Sequence, residues 1–103
     1  MKIVGVCACT VGIAHTYIAQ EKLEKAAKAA GCDVQFETQG TIGIENELNA
    51  EQIADADIVI LAVDVKVKGQ ERFEGKKIIR VSTEVAINSP NKLIQKAIEV
   101  AGK

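Results

Sequence analysis

Aromatic side chains make up only 3% of this 103-residue sequence, tryptophan is missing and proline occurs once. Such a chain cannot build its interior on stacked rings, so Ile, Val, Leu and Ala must fill it. A single histidine excludes a multi-histidine relay. Three cysteines, an odd number, argue against a disulfide framework and leave catalytic, redox or buried thiols. An excess of charge is missing too. Thirteen basic and 14 acidic residues leave a formal net charge of -1, which argues against broad capture of nucleic acid or an anionic membrane. No apolar run approaches the roughly 18 residues of a membrane-spanning helix, and no signal-peptide pattern follows Lys2, so a cytoplasmic protein is expected. With 48% hydrophobic residues the chain has material for one core, and residues 1–103 are read as one monomeric domain.

What is present alternates between two periods. KIVGVCA (2–8) is a continuous apolar, β-branched run, as in a central parallel strand buried on both faces. From Ala14 to Ala30 the spacing changes to three and four: Ile18, Ala19, Leu23, Ala26, Ala27 and Ala30 mark one face of a helix that Gly31 stops. DVQFET (33–38) alternates as a half-buried strand, and GTIGIENE (40–47) reads as a loop with two glycines. Asn49 and Gln52 form a capping-box pattern for a short helix through Ala54. DIVILAV (57–63) and KIIRVS (77–82) supply two more strands, separated by the charged connection DVKVKGQERFEGKK. A closing helix starts at Pro90 with Ser89 as its cap. Strands and helices in this order imply right-handed crossovers and a three-layer α/β/α fold around a four-stranded parallel sheet, order 2-1-3-4.

In such sheets, function collects at the carboxyl ends of the strands where the winding reverses. The stretch CACTVGIAHT (7–16) falls there. Residues 10 to 14 form a tight strand-to-helix loop, and Gly12 allows close backbone approach. The backbone N–H groups and the helix dipole together suit a phosphate or a thiolate. Cys9, where the strand opens onto this loop, is the candidate nucleophile and an exposed thiol, and a thiolate beside a phosphate cradle implies phosphocysteine chemistry. Cys7 lies inside the strand and reads as core packing; Cys32 reads as structural. A metal set drawn from Cys7, Cys9, His15 and Cys32 lacks the usual C-x₂₋₄-C spacing, so no metal or other cofactor is expected. His15 is either a surface or capping imidazole or a stabiliser of the thiolate or phosphoryl group. Thr10 and Thr16 are either caps or hydroxyl donors to the same site.

The layout resembles the C-x₅-R loop of low-molecular-weight tyrosine phosphatases, but the sixth residue after Cys9 is His15. Without a guanidinium clamp, and with Arg72 and Arg80 far along the sequence, transfer is favoured over hydrolysis. No Walker loop and no acidic cluster after the first strand occur.

Cys9 followed by GIAHTYIAQEKL, together with ETQGTIGIENELNAEQIADADIVILAVD (37–64) and ERFEGK (71–76), resembles the fructose-class IIB component of the bacterial phosphoenolpyruvate-dependent sugar phosphotransferase system over nearly the whole chain. The resemblance implies a protein that takes phosphoryl from a phosphohistidine on a IIA domain onto Cys9. It then passes the group to fructose or a fructose-like sugar held by the membrane component IIC, to which it is peripheral. The phosphate-binding residues implied are Thr10, Val11, Gly12, Ile13, Ala14, His15 and Thr16. The usual family loop reads C-P-T-G-I-A-H-T, so Thr10 and Val11 are departures. Because Val11 cannot donate a side-chain hydrogen bond, a hydroxyl contact must come from Thr10 or Thr16. Two rival readings stand beside this one. The first is a cysteine-based redox or arsenate-reductase-like enzyme, for which Cys7 would be a poorly placed resolving thiol. The second is a regulatory module that senses an anion. The GTIGIEN loop and the basic residues Lys66, Lys68, Arg72, Lys76, Lys77 and Arg80 are each either ordinary surface or part of a docking face.

Overall fold

A computed structural model describes residues 1–9, 15–40 and 43–102. β1 (Lys2–Ala8) leads to α1 (His15–Ala29), β2 (Asp33–Gly40), β3 (Gly43–Glu45), α2 (Ala50–Asp55) and β4 (Ile58–Val63); a 3-10 turn (Gln70–Phe73), β5 (Ile78–Val81), α3 (Thr83–Asn88) and α4 (Pro90–Ala101) complete the chain. The sheet runs β3-β2-β1-β4-β5. β1 pairs in parallel with β2 and β4, and β4 in parallel with β5.

The expected four-stranded, all-parallel sheet is corrected by β3, which pairs antiparallel with β2 and makes the sheet five-stranded and mixed. Its three residues are too few to show alternation, and its glycine reads as a loop. In fact Gly43, at φ 105°, lets the chain turn back so that Gly43 opposes Gly40. α3 is the second unexpected element. It buries only Thr83 and Ala86, too little for a helical period. Ser82 caps it, accepting from the Val85 N–H at 3.3 Å, and Asp64 at the end of β4 accepts from the Thr83 N–H at 2.9 Å. Ser89 occupies the N-cap position of α4 but makes no side-chain cap bond, so Pro90 at the first turn carries the start alone. The Asn49–Gln52 capping box is present, each side chain bonded to the other's backbone N–H at 2.8 Å.

α1 ends as expected. Gly31, at φ 78°, allows the Cys32 N–H to reach Ala27 O at 2.9 Å and its own N–H to reach Lys28 O at 3.0 Å. Ile18 and Ala30, assigned to its apolar face from spacing, are exposed, and Thr16 is buried instead.

Strand alternation sorts the core into two layers. Ile3 and Cys7 of β1, Phe36 of β2 and Ile60 of β4 face α1, α3 and α4, packing with Leu23 and Ile94. Val4, Val6 and Leu61 face the other way and pack with Leu48, Ile53 and Phe73 under α2 and the 3-10 turn. Each layer thus holds one of the two phenylalanines.

Candidate functional site

Parallel strands deliver their carboxyl ends to one edge, and β1 lies where the winding reverses, with β2 on one side and β4 on the other. Cys9 directly follows β1 at this edge. The Asp64 N–H donates to Ala8 O at 2.9 Å, so β4 accompanies β1 to its end. From the first turn of α1, the buried Thr16 Oγ1 donates to Cys9 Sγ at 2.8 Å. This bond fixes the sulfur beside the amino end of a 15-residue helix, where backbone N–H groups and the dipole favour negative charge. The Thr16 hydroxyl is thus a donor to the Cys9 sulfur. His15 opens the helix and is exposed. Thr10, Val11, Gly12, Ile13 and Ala14, the rest of the expected cradle, lie outside the described residues.

Cys9 is less open than a strand-end thiol suggests. Its residue is only 9% exposed. Cys7, two residues earlier, is sealed in the α1-facing core; burial, then the negative Glu24 and then Cys9 push its thiol up to about 12. It is therefore a neutral wall residue at any working pH. Cys32 stands beside the amino end of β2, the opposite edge of the sheet from Cys9. The metal set drawn from these residues is thus not brought together, and among the described residues no group of three His, Cys, Asp or Glu is placed to hold a metal ion.

The basic second half does not act as one surface. Arg72 grips Glu37 through two bonds, Nη1 to Oε1 at 2.9 Å and Nη2 to Oε2 at 3.0 Å. Lys76 Nζ donates to the carbonyls of Ala54 and Ala56 at the end of α2, and Lys77 Nζ to Val100 and Ala101 at the end of α4. Lys66 and Lys68 of that group do reach the Cys9 edge. There, with Cys9, Gln39, Ile44 and Val65, they line an open pocket of about 400 Å³. The GTIGIEN segment therefore does border the site, through Gly43 and Ile44. Glu45 of the same segment accepts from Tyr17 Oη at 2.5 Å, tying β3 to the first turn of α1.

Sequence reasoning missed Glu37. It is fully buried yet holds its carboxyl below the ordinary value: burial pushes it up, but hydrogen bonds from Arg72, Gln39 and the Leu48 N–H together outweigh that. An acid at an inward position of an alternating strand was the available signal.

A family model described as "PTS system, Lactose/Cellobiose specific IIB subunit" matches residues 4–96. The fructose-like EIIB component 2 of the phosphotransferase system of Escherichia coli is 53% identical over 95 residues, covering 92% of this chain and 90% of that one. A crystal structure of a domain from the fructose-specific IIABC component of Borrelia burgdorferi superposes with a TM-score of 0.90 at 51% identity, over 95% of this chain and 93% of that chain. The fructose-specific EIIABC component of Bacillus subtilis is 42% identical over 97 residues, 94% of this chain but 15% of that longer protein.

Proposed function

The chain belongs to the IIB family of the sugar phosphotransferase system, in its fructose class, and on that premise we propose that Cys9 is the residue that carries the phosphoryl group. The observation that supports this most is the Thr16 bond to Cys9 Sγ, which sets a sulfur nucleophile at a helix amino end. In the first step the Cys9 thiolate attacks the phosphorus of a phosphohistidine on IIA. The S–P bond forms as the P–N bond breaks, and the imidazole leaves with the electron pair. Backbone N–H groups of residues 10 to 16, with the Thr16 hydroxyl, neutralise the equatorial oxygens; Thr10, Val11, Gly12, Ile13, Ala14 and His15 complete this binding loop. In the second step a hydroxyl oxygen of fructose or a fructose-like sugar, held by IIC, attacks phosphorus, and Cys9 leaves as thiolate. The hydroxyl proton passes to a base supplied by IIC.

Positioning and charge neutralisation provide most of the catalysis. Hydrolysis is disfavoured because the loop carries no arginine and the Arg72 guanidinium is committed to Glu37. Residues 1–103 act as one domain, monomeric and cytoplasmic, meeting the membrane only through IIC. Among the described residues no helix is long and apolar enough to cross a membrane. The B. subtilis relative, whose name joins A, B and C components in one protein, supports the pairing with both partners.

Incubation with phosphorylated IIA tests the assignment. Label should appear on Cys9 as an S-linked phosphate, located by mass spectrometry, and be absent from Cys9→Ser. Label on another residue, or its persistence in Cys9→Ser as acid-labile phosphohistidine on His15, overturns it.

A further inference from the structure

The segment Glu37-Thr38-Gln39 of β2 takes no part in the steps above, although it holds the most heavily bonded buried group among the described residues. Glu37 accepts from Arg72, from the Leu48 N–H at 3.0 Å and from Gln39 Nε2 at 2.7 Å. Gln39 then reaches across to the chain that follows β4. Its Nε2 donates to Lys68 O at 2.9 Å, and its Oε1 accepts from the Lys68 N–H at 2.8 Å. This reciprocal pair imitates one rung of a sheet, so a side chain does what a sixth strand would otherwise do. Arg72 adds bonds to Gly69 O at 2.7 Å and Lys68 O at 3.4 Å. One buried carboxylate thus organises the backbone of residues 68 and 69, and with it the approach of Val65, Lys66 and Lys68 to the Cys9 pocket.

The wall held in this way has a definite chemistry. Val65 is 38% exposed and, with Ile44 at 40%, presents apolar surface beside the reacting sulfur. Lys66 and Lys68 set two cations at the same rim. Apolar surface at the centre and charge at the edge suits a protein partner. Cations there attract a partner that arrives carrying a phosphoryl dianion, and they oppose that group's departure. Both properties fit the donor step rather than the release step.

We propose that Gln39, locked by the Glu37–Arg72 pair, is a positioning residue that holds segment 65–68 as the wall of the Cys9 pocket against which the phosphohistidine-bearing donor docks. This rests on Cys9 being the acceptor. The donor's complementary face is apolar with acidic groups opposite Lys66 and Lys68.

The test uses the full chain and phosphorylated IIA, with Gln39→Leu and the exposed double variant Lys66→Gln/Lys68→Gln. Gln39→Leu should raise KM for phosphorylated IIA about tenfold with kcat within about twofold, the signature of lost partner binding rather than lost chemistry. The lysine double variant should raise KM about fivefold and flatten the salt dependence of kcat/KM. In the Gln39→Leu background the lysine changes should add little, because the wall they sit on has already moved. The inference is overturned if either variant keeps the wild-type KM, if kcat falls while KM holds, or if only transfer to sugar through IIC changes. Should Gln39→Leu fail to fold, Gln39→Met takes its place, since it also removes both bonds to the Lys68 backbone while keeping the length of the side chain. Failure of the underlying reading looks different, since wild type itself would then carry no label on Cys9.

Discussion

Three helices cover one face of the sheet, and the core beneath them is apolar apart from the hydroxyls of Thr16, Thr38 and Thr83. A six-residue helix and a four-residue turn cover the other face, and there a carboxylate is buried. The difference follows from how much regular structure each face receives. Long helices satisfy their own backbone groups and need only an apolar stripe to dock. The second face is closed largely by irregular connections, whose N–H and C=O groups must find partners inside. Glu37 supplies them. Its oxygens and the amide oxygen of its partner Gln39 serve Leu48, Lys68 and Arg72, at the price of an ion pair whose acid is fully buried and whose guanidinium is partly so.

Breaking that pair should give the largest effect. Glu37→Ala leaves the Arg72 guanidinium without its acid and the Leu48 N–H without an acceptor, and should cost about 3–5 kcal/mol in urea unfolding. Replacing Glu37 and Arg72 together by methionines should recover part of the loss, since an apolar pair of similar volume removes the orphaned guanidinium and leaves only the Leu48 N–H without an acceptor. If the double variant is as unstable as Glu37→Ala, the pair is not what closes this face.

On the helical face the vulnerable point is shape, and Gly5→Ala should come next in size. A Cβ at Gly5 would stand 2.3 Å from Ile60 O and 2.4 Å from Phe36 Cε1, so backbone as well as ring must shift. Overpacking of this kind costs about 2–3 kcal/mol, read from the urea midpoint. A loss below about 0.5 kcal/mol would show that β1 and β4 can part locally without strain.

The two faces should also answer to opposite ends of the pH scale, with smaller effects. Glu37 is held below its unfolded value, so its contribution is complete above the ordinary carboxylate range and is lost as pH falls through the folded value. Glu37→Gln should flatten the acid limb of a Tm-against-pH curve. Cys7 is raised from 9.0 to about 12, so its contribution is complete below pH 9 and is lost as pH rises toward 12. Cys7→Ala should flatten the alkaline limb and leave the acid limb unchanged.

This contrast also explains which parts could be read in advance. β1 and β4 are apolar runs long enough to identify themselves, and the Asn49–Gln52 box is a local pattern that the structure reproduces. The place of Cys9, at the end of a strand and beside a helix start, was legible in the same way. β3 and α3 were not, because three and six residues carry too little period to outweigh two glycines or a pair of serines. The Glu37–Arg72 pair joins positions 35 residues apart, and no local spacing signals such a contact. The charged connection after β4 reads as solvated surface for the same reason. Its acidic partner is two strands away in sequence, and only the fold brings Gln39 to Lys68.

The smallest effect should come from Thr38, which lies between Glu37 and Gln39 but points to the helical face, opposite Cys7 in the β1–β2 register. Its hydroxyl is buried and has no hydrogen-bond partner among the described residues. On the carboxylate face an unpartnered polar atom would be a fault in the network; here it is an isolated cost in an otherwise apolar layer. Valine has nearly the same shape and the same β-branching, so Thr38→Val should leave packing intact and remove only that cost. Stability should rise by about 0.5–1 kcal/mol, with transfer from phosphorylated IIA unchanged. A loss of stability instead would mean that the hydroxyl bonds to something in solution. The helical face would then depend on a polar contact as the other face does, and the distinction between them would narrow to one of degree.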